Sequence, residues 1–117
     1  MLTLYGIPNC NTVKKALDYL NAKGEEYTFH NYKKSGISRD KLEEWMQQVS
    51  LDKLVNKKGT TYKALDQAER YALETPISAL DVLMAKPSII KRPIVEDQKI
   101  IALGFDEALY EKIFKQL

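Results

Sequence analysis

Hydrophobic positions along the chain change their period several times, and each change marks an element. Leu2, Thr3, Leu4 and Tyr5 make a short apolar run stopped by Gly6-Ile7-Pro8-Asn9, which predicts a buried strand running into a turn. Behind Cys10, the residues Val13, Ala16, Leu17 and Leu20 recur at helical spacing, while Lys14, Lys15 and Asp18 fall on other faces. Gly24 supplies a stop for that helix. Tyr27, Phe29 and Asn31 then alternate with Thr28, His30 and Tyr32, a period of two that predicts a second strand. A strand, a helix and a strand in so short a span form a crossover, so the two strands are expected to be parallel neighbours with a right-handed connection.

The middle of the chain reads as helical. Ser38 can cap a helix whose Leu42, Trp45, Met46 and Val49 form one apolar stripe, and Leu51, Leu54 and Val55 suggest another short helical turn. Asn56-Lys57-Lys58-Gly59-Thr60-Thr61-Tyr62 is polar and is expected to be a surface loop. Asp66 with Glu69 three residues later forms a capping-box pattern, and Thr75-Pro76 opens a helix carrying Ile77, Leu80, Leu83 and Met84 that ends before Pro87. The last third returns to strands. Ile94 and Val95, a turn at Glu96-Asp97-Gln98, and Ile100, Ile101, Ala102 and Leu103 predict an antiparallel hairpin. Gly104 ends it, and Asp106 can cap a final helix bearing Leu109, Tyr110, Ile113, Phe114 and Leu117. The order β-α-β, helices, β-β-α predicts an α/β fold. It is a thioredoxin-like, four-stranded mixed sheet with a helical insertion, over about residues 38–87, between the β-α-β and β-β-α halves. One domain over residues 1–117 is expected, and a monomer.

Composition narrows the class. Apolar residues make up 44% and charged residues 29% of the 117, a balance that suits a small domain with its own core. Eighteen basic against 16 acidic residues leave a net charge of +2, short of the clustered charge that a nucleic-acid binder carries, so no nucleic-acid partner is expected. No apolar run is long enough to span a membrane, and the chain starts on strand-like residues without a charged leader, so neither a membrane partner nor secretion is expected. The single cysteine, Cys10, excludes an internal disulfide and suits a reducing cytoplasm. One Cys and one His cannot make a tetrahedral metal site without scattered carboxylates, so no metal is expected.

Two places can carry chemistry. Cys10 falls where a strand meets a helix, facing unpaired N–H groups and the positive end of the helix dipole, with Lys14 and Lys15 close in sequence. That setting favours the nucleophilic thiolate; the alternative is a small buried hydrophobe. Arg92-Pro93 precedes the third strand, where the entering loop passes beside the first helix. There a guanidinium could hold an anion or a thiolate, and the peptide bond is a candidate for cis. The residues by themselves favour the simpler reading, a solvated Lys91-Arg92 pair and a trans proline. His30 stands in a strand and reads as structural, and Tyr62, Thr60, Thr61, Lys57 and Lys58 read as solvated loop positions.

Taken together, these segments resemble a known family. Leu2-Thr3-Leu4-Tyr5-Gly6-Ile7-Pro8-Asn9-Cys10 with Thr12-Val13-Lys14-Lys15-Ala16 is similar to the opening of the arsenate reductase/Spx family of thioredoxin-like proteins. Asn31-Tyr32-Lys33, the 56–62 loop, Pro87-Ser88-Ile89-Ile90-Lys91-Arg92-Pro93-Ile94 and Leu103-Gly104-Phe105 follow in the family's order, and the pattern looks most like its YffB-like reductase branch. The resemblance implies that Cys10 is the nucleophile, that Arg92 binds an anion or the thiolate, and that Pro93 is cis and lies against the cysteine. Asn9, Thr12 and Lys14 would then border the bound thiol. It implies a thiol oxidoreductase with no bound cofactor, glutathione as co-substrate and glutathione or a glutaredoxin-type thiol donor as partner. Two alternatives are a Spx-like regulator that contacts another protein such as RNA polymerase, and a weak arsenate reductase. Departures bear on both. The further arginines of arsenate reductases fall at Asn56 and Gly104, and a neighbouring Lys57 or Lys58 lacks the bidentate fork of arginine. The Cys-x-x-Cys switch of Spx would need a cysteine at position 13, where Val13 stands.

Overall fold

The computed structural model describes residues 1–114. Four strands, β1 (Thr3–Gly6), β2 (Thr28–Asn31), β3 (Ile94–Asp97) and β4 (Lys99–Leu103), form one sheet in the order β2-β1-β3-β4. β1 lies parallel to β2, with Tyr5 opposite His30, and antiparallel to β3, with Leu4 opposite Val95. The sheet is therefore mixed, as the element order requires, and the fold is thioredoxin-like α/β. Helix α1 (Asn11–Ala22) joins the parallel pair, and a helix at Glu107–Ile113 closes the chain's β-β-α end. Val13, Ala16 and Leu20 of α1 pack with Leu4, Val95, Ala102, Tyr110 and Phe114 into one buried core. Leu17, expected on the same stripe, lies at its half-buried edge. Leu117 lies outside the described residues.

Two backbone features set the geometry on which α1 depends. A Cβ placed on Gly6 would come within 2.8 Å of Val13 Cγ2, so only glycine lets the end of β1 approach α1 this closely. Gly104 follows β4 with φ of 78°, a left-handed conformation that glycine adopts without a Cβ clash. Its N–H donates to Pro93 O at 2.7 Å and its carbonyl accepts from the buried Tyr110 hydroxyl at 2.8 Å. The residue before β3 is thereby tied to the last helix.

The hairpin differs from the expected one. Glu96 and Asp97 belong to β3, and Gln98, with φ of 66°, is the sole connecting residue, since Asp97 already pairs with Lys99. Glu96 reads as a turn residue because it is charged, yet it is buried and accepts a hydrogen bond from Tyr5 Oη at 2.9 Å. A partner that far away in sequence leaves no local signal.

The helical segment, Tyr32–Lys91, is a compact unit of its own. It contains α2 (Tyr32–Ser35), α3 (Arg39–Gln48), α4 (Leu51–Leu54), α5 (Thr60–Lys63), α6 (Gln67–Ala72), α7 (Pro76–Ala85) and a 3₁₀ turn at Pro87–Ile89. The short helices at its two ends, 32–35 and 87–89, carry too few residues to display a period, so the helical stretch is wider than the 38–87 read from sequence. Ser38 Oγ caps α3 by accepting from Lys41 N, and Asp66 and Glu69 close a reciprocal capping box on α6. Leu42 and Trp45 of α3 are buried, as are Ala79, Leu80 and Leu83 of α7, which packs on it. Ile77 does not join that stripe. It is 81% exposed, because the buried residues of α7 centre on a face well over a quarter turn away from it. The 56–62 segment is a loop only as far as Gly59: Thr60 starts α5, whose short turn satisfies the N–H groups of Lys63 and Ala64. An antiparallel bridge between Val55 and Ile90 ties the segment's flank. Among the described residues no helix is long and apolar enough to cross a membrane.

The close approach at Gly6 gives the first prediction. Gly6→Ala should cost about 1–3 kcal/mol of stability in urea unfolding, the usual cost of overpacking. In a Val13→Ala background the same change should cost less, since the clashing methyl is gone. An equal cost in both backgrounds would assign the penalty elsewhere.

Candidate functional site

Cys10 is the N-cap of α1, with extended backbone at φ −123° and ψ 123°. Residues at this position normally offer an oxygen to the first-turn N–H groups. Here the offering atom is a sulfur, half-buried and free of any disulfide. It closes no regular capping hydrogen bond, yet the N–H groups it faces still act on it. Burial pushes the Cys10 thiol up. Hydrogen bonding from the Val13 backbone, the Arg92 guanidinium and the Thr12 backbone, together with the charge of Arg92, outweighs that push and leaves the thiol below its ordinary value. No acidic residue stands in the first turn of α1 to oppose them.

The Arg92–Pro93 bond is cis, as the family resemblance implies and against the trans proline favoured by the residues alone. Pro93 is buried at the entry of β3, its carbonyl held by Gly104 N–H, and the half-buried Arg92 turns its guanidinium to the Cys10 sulfur. The tertiary hydrogen bond from Gly104, eleven residues after Pro93, is not announced by the sequence around Arg92.

The other expected site residues divide. Asn9, Thr12 and Lys14 are exposed beside Cys10 in sequence, on the turn and first turns of α1. Thr12 contributes through its backbone N–H, and so does Val13, which the sequence reading treated only as a core residue. Lys14 was expected to favour the thiolate; the groups acting most strongly on the sulfur are Val13, Arg92 and Thr12 instead. Gly104 and Tyr110 are a further omission, since they hold Pro93 in place; a glycine straight after an apolar strand was the available signal. His30 tilts its ring against Tyr5 with centroids 4.8 Å apart, in keeping with a structural role. Lys57 pairs with Asp52, and Tyr62 lies under the Arg70 guanidinium, both within the helical unit. Among the described residues there is no group of His, Cys, Asp and Glu suited to a metal ion.

The site thus joins a thioredoxin-like sheet, a first helix capped by a lone cysteine, a cis-proline loop and an arginine that acts on the sulfur. The chain belongs to the ArsC family, whose model matches residues 5–113. It is 40% identical over 114 residues to an uncharacterised protein of Haemophilus influenzae, covering 97% of this chain and 99% of that one. A solved YffB protein superposes with a TM-score of 0.87 at 34% identity, covering 96% of this chain and 97% of its own. The global transcriptional regulator Spx of Streptococcus pyogenes is 32% identical over 110 residues, which is 92% of this chain and 80% of that protein.

The electrostatics generate a pH prediction. The folded thiol titrates below the unfolded one, so the thiolate contributes stability above the unfolded value, and that contribution is lost as pH falls through the folded midpoint. Iodoacetamide alkylation of Cys10 should therefore show a midpoint below that of the unfolded chain. Arg92→Gln leaves burial less opposed, so its midpoint should rise and its alkylation at neutral pH should slow severalfold. Identical profiles for the two proteins would remove Arg92 from the thiol's surroundings.

Proposed function

We propose that the chain is a thiol oxidoreductase in which Cys10 is the sole protein nucleophile and the resolving thiol comes from outside. The Cys10 thiolate attacks one sulfur of a disulfide, forming a bond from Cys10 to that sulfur while the old sulfur–sulfur bond breaks. The departing sulfur leaves as a thiolate with the electron pair. A second thiol then attacks the mixed disulfide and returns Cys10 to its reduced form. Glutathione or a glutaredoxin-type donor fits that second role, since the chain has no other cysteine to supply it. Arg92 offsets charge on the sulfur before attack and after release, and the buried Pro93 anchors the loop that carries it. The observation that carries this reading is the convergence of the Val13 and Thr12 N–H groups and the Arg92 guanidinium on one partly accessible thiol.

A second reading draws on the Spx relatives: Cys10 would sense oxidation by glutathionylation while the protein regulates a partner without turnover. Arsenate reduction is expected to be weak at most, because of the arginines the family uses only Arg92 is present, with Asn56 and Gly104 at the other two places.

Intact-mass analysis after treatment with oxidised glutathione, followed by turnover with reduced glutathione, separates these readings. The expected result is a single rapid adduct on Cys10 that glutathione clears catalytically, and no adduct on Cys10→Ser. A slow adduct that is never turned over would favour the regulator, and an adduct on the serine variant would remove Cys10 from the mechanism altogether.

A further inference from the structure

Lys14 and Lys15 carry charge that the fold does not use. Some cations of the chain pair with acids: Lys23 with Glu111, Lys41 with Glu44, Lys57 with Asp52, Lys86 with Glu69 and Arg39 with Asp81. Neither Lys14 nor Lys15 joins an ion pair among the described residues, and both are exposed. Their place on α1 matters. Lys14 stands four residues after Cys10, one turn along the same face, and its backbone N–H donates to Cys10 O at 2.9 Å. Helical side chains lean towards the helix N-terminus, so both lysine stems tilt back towards the thiol end of α1. The first acidic residue on the helix is Asp18, a further turn away. Arg92 adds its charge at the sulfur from the loop before β3, and the first turn of α1 holds no acidic residue.

Because Val13, Thr12 and Arg92 act most strongly on the thiol itself, the lysines remain for whatever approaches it. We propose that Lys14 and Lys15 are specificity-determining residues that make disulfides carrying carboxylates the substrate class of Cys10, at the expense of cationic disulfides of the same size. The inference rests on the proposed thiol-exchange reading, and the exchange step is the one balanced above: one sulfur–sulfur bond forms, one breaks, and the leaving thiolate takes the electron pair. The lysines act through long-range attraction on the incoming carboxylates, which raises the encounter rate and is weakened by salt.

The test compares rates of mixed-disulfide formation, followed by intact mass, with dithiodiglycolate as the anionic probe and cystamine as the cationic one. The native chain, Lys14→Gln/Lys15→Gln and Lys14→Arg/Lys15→Arg are measured at low and high salt. Intrinsic differences between the probes cancel in the ratio of their rates across proteins. For two exposed charges acting on each probe through water, that ratio should fall roughly tenfold in the glutamine variant at low salt. It should be kept in the arginine variant and should shrink in the native chain at high salt. A merely structural effect of the substitutions would slow both probes alike and leave the ratio unmoved, and an unmoved ratio overturns the inference while leaving Cys10 exchange intact. If iodoacetamide alkylates Cys10 but neither probe forms a mixed disulfide, the exchange reading fails, and the charge selection fails with it.

Discussion

Val13 presses its methyl groups against the bare α-carbon of Gly6, and this contact sets where α1 begins relative to β1. The three residues between Gly6 and Cys10 leave little freedom once the two ends are fixed. Cys10 must then fall at the N-cap, with its sulfur at the open end of the helix rather than inside the core where Val13, Ala16 and Leu20 go. A side chain on residue 6 would push α1 outward and carry the thiol away from Arg92. The same contact has a redox consequence. Position 13 is fully buried and filled by an aliphatic side chain, so the position three residues after the cysteine supplies packing and a backbone N–H, and no second thiol.

The second constraint comes from the opposite direction in the chain. Pro93 enters β3 with its carbonyl bound by Gly104 N–H, and Gly104 is itself bound by the Tyr110 hydroxyl from the last helix. Burial penalises the thiolate at Cys10, and the Val13 backbone N–H is the strongest of the groups that oppose that penalty. The guanidinium adds both a hydrogen bond and a full charge, and charge-assisted hydrogen bonds are roughly twice as strong as neutral ones. The balance at the sulfur therefore combines the backbone of a helix near the chain's start with a side chain from its last third.

What the sequence discloses and what it hides follow from the range of the interactions. Helix α1, the Ser38 cap and the Asp66–Glu69 box were legible because their signals lie within four residues of each other. The mixed, four-stranded character of the sheet was legible from element order, which restricts the ways to connect four strands. Glu96 was misread as a turn because its burial is explained by Tyr5, on another strand. The cis bond at Pro93 was expected from the family resemblance and not from the residues alone, since its neighbours Gly104 and Tyr110 lie well along the chain. Short helices such as α2 and α5 escaped because a single turn has no period. At the site, the residue types of Cys10 and Arg92 were visible, whereas the backbone donors of Thr12 and Val13 carry no side-chain signature.

Gly104 also bears on which chemistry the site suits. Its backbone is engaged on both sides and its left-handed φ disfavours any side chain, so a cation could be added there only with strain. The positive charge that acts on the Cys10 sulfur comes from Arg92. A tetrahedral oxyanion spreads charge over several oxygens and is held best by planar forks that grip two of them together. Attack on a disulfide asks for less, since one negative charge is shared along a line of sulfurs and needs a donor only at the attacking end before reaction. A single guanidinium and two backbone N–H groups meet that demand. On the proposed reading, the same left-handed glycine that anchors the cis-proline loop also turns the site from caging an oxyanion towards exchanging sulfur.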